Sequence, residues 1–156
     1  MADIEIEISN NQNHLPIDTK QLFRTVRYVL RQHSVEQAEV SLAIVDDDAI
    51  CEIKNRYYDS PEATDVLSFD LRDQAERVGG LVMLDCEVIV NAERAIAVAK
   101  NHNIDPEAEL NLYIVHGLLH LLGYDDKTLA QARKMHQRED HFLEKLNFGR
   151  VYDRDS

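Results

Sequence analysis

Two histidines four residues apart, then a glycine and an aspartate, form the stretch of this sequence best suited to chemistry: His116-Gly-Leu-Leu-His120-Leu-Leu-Gly123-Tyr-Asp125-Asp126. On a helix, positions i and i+4 share a face, so two imidazoles at that spacing reach one cation without bending the backbone. Gly123 lets the chain leave the helix through a left-handed turn, which swings a residue about three positions later back toward the rings. Asp126 stands there. The pattern H-x3-H-x2-G-x2-D offers two nitrogens and one oxygen and leaves a position open for water, as catalytic zinc sites do. An H-x3-H alone describes equally well a core helix whose histidines bond locally. The glycine and the carboxylate are what favour a metal.

Several neighbours carry two readings. Asp125 either orients a histidine from behind or is a turn residue. His136 is the reserve third ligand should Asp126 point away; it lies five residues from His141, so the two do not share a helix face. Tyr124 packs under the turn. The spacing is similar to the metzincin motif H-E-x-x-H-x-x-G-x-x-H, but Gly117 occupies the place of the proton-accepting Glu. Peptide hydrolysis by that mechanism is therefore disfavoured.

The elements that must hold these residues can be read from periodicity. Ile4, Ile6 and Ile8 alternate with acids, and Val40, Leu42 and Ile44 alternate again, so each set predicts a half-buried strand. Asp18 with Gln21 reads as an N-cap and capping box opening a helix with Leu22, Val26, Val29 and Leu30 on one face. Asp46-Asp47-Asp48 starts a short helix through Ile50 and Ile53. Thr64–Asp70 is rich in strand formers, and residues 81–90 hold one strand, or two around Asp85. A helix follows from Asn91 to about Lys100. Asp105-Pro106 starts the histidine helix, which runs to Leu122 and stops at Gly123. A last helix spans about Leu129 to Leu146. The order β-α-β-α-β-β-α-α-α predicts an α+β fold, with about five helices packed on a small mixed β-sheet.

Composition bounds the rest. The 156 residues, 44% of them hydrophobic, fit a single domain over 1–156 and are too apolar for disorder. No apolar run approaches the ~20 residues of a membrane span, and the N-terminus has no signal-peptide pattern, so a cytoplasmic protein is expected. Cys51 and Cys86 are too few and too isolated for a disulfide framework and read as small buried hydrophobes. The net charge of −12 repels phosphate backbones on average, though a local patch or a bound cation decides binding. Arg24, Arg27 and Arg31 share one helix and form either a basic strip for a nucleic-acid backbone or a solvated face.

HGLLHLLGYDD closely resembles the signature H-G-x-L-H-L-x-G-Y-D-H of the YbeY family of metal-dependent endoribonucleases. Thr64-Asp65-Val66-Leu67-Ser68-Phe69 resembles the family's P-T-D-V-L-S-F strand. Tyr57 fits the tyrosine of its Y-R pair, and Glu87-Val88-Ile89-Val90 its acid-plus-strand element. The resemblance spans nearly the whole chain. It implies a zincin-like fold, one zinc ion, and cleavage of single-stranded RNA in 3′-end maturation of the 16S rRNA precursor and quality control of the small ribosomal subunit. The metal ligands would be His116, His120 and Asp126, with metal-held water as the nucleophile and no further catalytic side chain assigned. Arg56 and Ser68 are the expected substrate contacts.

The chain departs from the family pattern in places. Asp126 replaces a histidine, which adds negative charge and makes the metal a weaker Lewis acid. Tyr58 replaces the arginine, and Arg56 lies two residues earlier. Pro61 and Ala63 stand where the family has Asp and Pro, and Cys86 where it has Gly. These changes motivate two alternatives: a catalytically weakened ribosome-assembly factor, or a metal-dependent hydrolase of a small substrate, the latter favoured by the acidic composition.

Overall fold

The computed structural model describes residues 3–60, 62–73 and 83–148. Its elements run β1 (Asp3–Asn10), α1 (Thr19–Gln32), β2 (Gln37–Val45), α2 (Asp47–Tyr58), β3 (Val66–Asp70), β4 (Met83–Asn91), α3 (Ala92–His102), α4 (Pro106–Leu121) and α5 (Leu129–Lys145). The expected α+β order stands. Pro61, and Leu81 and Val82 of the expected 81–90 strand, lie outside the described residues. What is described of that stretch is one strand, with Asp85 in register with Glu39.

The sheet order is β1-β2-β4-β3. β1, β2 and β4 are parallel, and β3 pairs antiparallel with β4 at the edge. Alternation sends Ile4, Ile6 and Ile8, then Val40, Leu42 and Ile44, then Leu84, Cys86, Val88 and Val90, into the main core with α1, α3, α4 and α5. The opposite face meets α2 in a smaller cluster of Val45, Ile50, Leu67 and Ile89. Toward β1 that face carries Glu5, Glu7, Glu39, Ser41 and Asp85 around a shallow, polar depression.

α4 is the axis of the molecule. Asp105 caps it by accepting from the Glu107 N–H, and Pro106 opens it. Twelve of its 16 residues are buried, because it lies between the sheet and the other core helices. Polar groups fix its position against α1. Asn111 Oδ1 accepts from Thr25 Oγ1 at 2.6 Å and Gln21 Nε2 at 3.0 Å, and Asn111 Nδ2 returns a bond to Gln21 Oε1 at 2.9 Å. This corrects the capping box expected at α1. Asp18 does accept from the Gln21 N–H, but the Gln21 side chain turns inward to Asn111 rather than back to the cap. A complete box forms instead at α5, between Thr128 and Gln131.

Asn91 ties the sheet to the segment leading into β3. Its side chain caps α3 at Arg94 N and donates to Asp47 Oδ1 at 2.6 Å and Thr64 O at 3.1 Å. α2 runs to Tyr58, longer than the short helix expected, and leaves through Asp59 at φ 52°.

Candidate metal centre

Position 117 explains itself in packing. A Cβ placed there would lie 2.8 Å from Ser68 Oγ, 3.0 Å from Val66 Cγ2 and 3.1 Å from Val88 Cγ1. Only glycine lets α4 approach β3 and β4 so closely. Ser68 Oγ uses the approach, donating to Gly117 O at 3.1 Å. With residue 117 facing the sheet, His116 and His120 are directed toward the gap between α4, α5 and the turn after α4.

That turn is a Schellman exit. The Gly123 N–H reaches His120 O and the Tyr124 N–H reaches Leu119 O, with Gly123 at φ 104°. The chain reverses and brings Asp126 back over the histidines. His116 Nε2 and His120 Nε2 are 3.1 Å apart, and Asp126 Oδ2 lies 3.8 and 3.6 Å from them. A tetrahedral ion holding ligands at about 2.1 Å sets them about 3.4 Å apart, a value these three edges bracket. The side chains are 20%, 33% and 41% exposed, so the site sits at the bottom of an open surface. His116, His120 and Asp126 could hold a metal ion, as the spacing leads one to expect.

Glu139 of α5 completes the arrangement. Its Oε1 accepts from His116 Nδ1 at 2.9 Å while its side chain is fully buried. A carboxylate can only accept, so it fixes the proton on Nδ1 and leaves the Nε2 lone pair aimed at Asp126 and His120. Glu139 Oε2 is buried with no hydrogen-bond partner among the described residues. A buried carboxylate this poorly satisfied fits a neighbour that carries positive charge or a cation. Burial pulls the His116 pKa down, but the hydrogen bond and charge of Glu139, with the charges of Asp65 and Asp126, more than offset it and hold it above the ordinary histidine value. Donor set, spacing and the buttressing acid all fit a divalent ion.

Of the two readings for Asp125, the structure shows the turn. Its Oδ1 accepts from the Asp126 N–H at 2.8 Å and its Oδ2 lies 3.9 Å from Lys127 Nζ. The partner of His116 is Glu139, which lies on the inward stripe of α5 with Met135, Phe142 and Leu143. An acid at helical spacing among apolar residues is the signal that could have found it. Asp126 points at the rings, so the reserve role for His136 does not arise. Tyr124 packs under the turn, edge-on to His33, with its hydroxyl 3.3 Å from His33 Nε2.

The expected substrate contacts lie apart. Ser68 borders α4, with its hydroxyl committed to Gly117. Arg56 is helical, pairs with Glu52 at 3.2 Å on the exposed surface of α2, and lines a depression with Tyr57 and Phe69 on the sheet face opposite α4. Tyr58, in the place of the family's arginine, stacks on Phe69 with ring centroids 6.0 Å apart.

Comparison with known proteins places the chain in a family. The family model described as Endoribonuclease YbeY matches residues 7–147. The Endoribonuclease YbeY of Syntrophotalea carbinolica is 34% identical over 143 residues, covering 90% of this chain and 95% of the relative. That of Desulfitobacterium hafniense is 41% identical over 117 residues, covering 71% and 73%. The solution structure of TM1509 from Thermotoga maritima shares the fold, with a TM-score of 0.63 and 24% identity over 90% of this chain and 88% of that one. With both signature stretches inside the matched region, the chain belongs to the YbeY endoribonuclease family.

Proposed function

We propose that this chain is a zinc-dependent endoribonuclease that hydrolyses single-stranded RNA, and that it acts in the cytoplasm on the 3′ end of the 16S rRNA precursor within the small ribosomal subunit. The observation that carries the reading is the triangle of His116 Nε2, His120 Nε2 and Asp126 Oδ2, with Glu139 behind it. Family membership supports the RNA substrate and the ribosomal role. No helix among the described residues is long and apolar enough to cross a membrane.

A bound divalent ion supplies Lewis acidity, lowering the pKa of water and offsetting charge that builds on the scissile phosphodiester. The chain's own residues prepare for it. Glu139 holds His116 in the tautomer that presents Nε2, and the glycine turn places Asp126 as the third donor. Asp126 brings a negative charge of its own, which tempers the cation; two neutral imidazoles leave the site net positive with a divalent ion, and so attractive to phosphate in an otherwise acidic protein. Ser68 keeps α4 seated on the edge strand beside which substrate would lie.

A second reading, that of an assembly factor with weakened chemistry, is favoured by one observation: the position of the family's arginine is filled by Tyr58, and the nearby Arg56 sits on the other sheet face, paired with Glu52. A labelled single-stranded RNA incubated with purified wild type and with His116→Ala separates the readings. Cleavage by wild type alone supports the nuclease, and equal cleavage by both overturns it. Elemental analysis of the same preparations should find one zinc per chain in wild type and none in His120→Ala.

A further inference from the structure

Among the described helices, α1 alone contains no acidic residue. Its sequence TKQLFRTVRYVLRQ contains Lys20, Arg24, Arg27 and Arg31 and no acid, in a protein with 29 acids and 17 bases. The spacings of four, three and four residues put all four on one exposed stripe, about 16 Å long at 1.5 Å per residue. The stripe borders an open, shallow groove of about 700 Å³, with Lys145 at the end of α5 on its far side. None of these bases makes an ion pair with another described residue. Two half-buried rings, Phe23 and Tyr28, lie along the same groove, with Tyr28 held edge-on against Phe142 at 5.8 Å.

We propose that this groove binds the phosphate backbone of single-stranded RNA, at a site separate from the metal centre. The inference rests on the endoribonuclease reading for its ligand, and deepens it by giving the strand a path. Aligned bases with interleaved rings are what a flexible single strand can use, since phosphates pair with the cations while bases stack on exposed ring surface. A duplex or a membrane surface would leave the concave shape and the rings unused. The direction also fits. α1 ends at Gln32, and its capping residue His33 touches Tyr124 in the turn that carries Asp126, so this end of the helix lies beside that turn.

The test measures affinity and cleavage separately. A labelled, unstructured 20-nucleotide RNA is titrated with chelator-treated wild type, Arg24→Gln/Arg27→Gln/Arg31→Gln, and Lys20→Gln/Lys145→Gln, at several salt concentrations. The triple variant should bind at least tenfold more weakly, and its slope of log affinity against log salt should be shallower by about two, from about 0.7 per lost contact on single strands. The double variant, on two different elements, should show a smaller loss of the same kind and guards against a folding defect in the triple. Unchanged affinity and slope in both variants overturns the groove. So does variant-sensitive binding to phosphatidylserine vesicles without variant-sensitive RNA binding, which assigns the stripe to a lipid surface. With metal restored, cleavage at subsaturating protein should fall in the triple variant by about the factor lost in affinity. Groove-dependent binding with no cleavage by wild type would sink the nuclease reading and leave the groove standing.

Discussion

The two sides of α4 are built by opposite rules. On the side toward β3 and β4, contact is so close that residue 117 has no room for a single carbon, and the chemistry there is packing plus one bond from Ser68. On the side toward α5, polar groups stay 20–41% exposed around a gap, with a buried acid behind them. The tight side gives the loose side its precision. A helix seated closely on a sheet gives the two imidazoles one turn apart a firm base, and Glu139 braces only His116 from the other side.

The largest effect that sharpens this contrast is on the loose side. His120→Ala should abolish metal retention, read by elemental analysis, while the melt of the chelated protein barely moves, because His120 has no buried partner to strand. His116→Ala should also lose the metal, but in chelator it should cost about 3–5 kcal/mol, since it leaves Glu139 buried and unpaired. Adding Glu139→Gln should recover part of that loss in denaturant unfolding. Equal stability of the two histidine variants would break the claim that only one of them is buttressed. On the tight side, Gly117→Ala should destabilise by about 1–3 kcal/mol through overpacking, with the metal ligands themselves unaltered. A neutral result there would mean that Ser68, Val66 and Val88 yield easily. Glu139→Gln alone should weaken metal affinity about 10–100-fold in chelator competition while leaving a site that still fills.

The smallest expected effect concerns pH. Burial, with a lesser push from Arg138, lowers the His33 pKa despite its bond to Val29 O. The folded state therefore resists protonation there. The associated stability is complete above about 6.5, the unfolded value, and declines as pH falls through the lower folded value. Chelated His33→Gln should lose less stability than wild type over that acid range.

Much of this was legible in the sequence because its causes are local. The histidine spacing, the helix-ending Gly123 and the return to Asp126 all lie within 11 residues, and α-helical geometry does the rest. Strand alternation at Ile4–Ile8 and Val40–Ile44 was equally direct. Glu139 escaped because its role depends on how α5 docks on α4, 23 residues from the histidine it touches. Gln21 looked like half of a capping box because its true partner, Asn111, is 90 residues away. The length of α2 was underread because Tyr57 and Tyr58 are poor signals of helix, yet their rings pack on Phe69. Net charge was the weakest guide. It averages Glu5, Glu7, Glu39 and Asp85 on the open sheet face with the cationic stripe of α1, and the two lie on different surfaces.

Glu139 has a consequence beyond the site. It belongs to α5, the last described helix, whereas the three candidate ligands belong to α4 and its exit turn, so a cation held by them would join α5 to α4 through the bond from His116 to Glu139. Any ion that favours the folded ligand set also favours a docked α5, in proportion to its concentration over its dissociation constant. If the site holds a metal, losing it should leave α5 easier to peel away, and the protein easier to degrade.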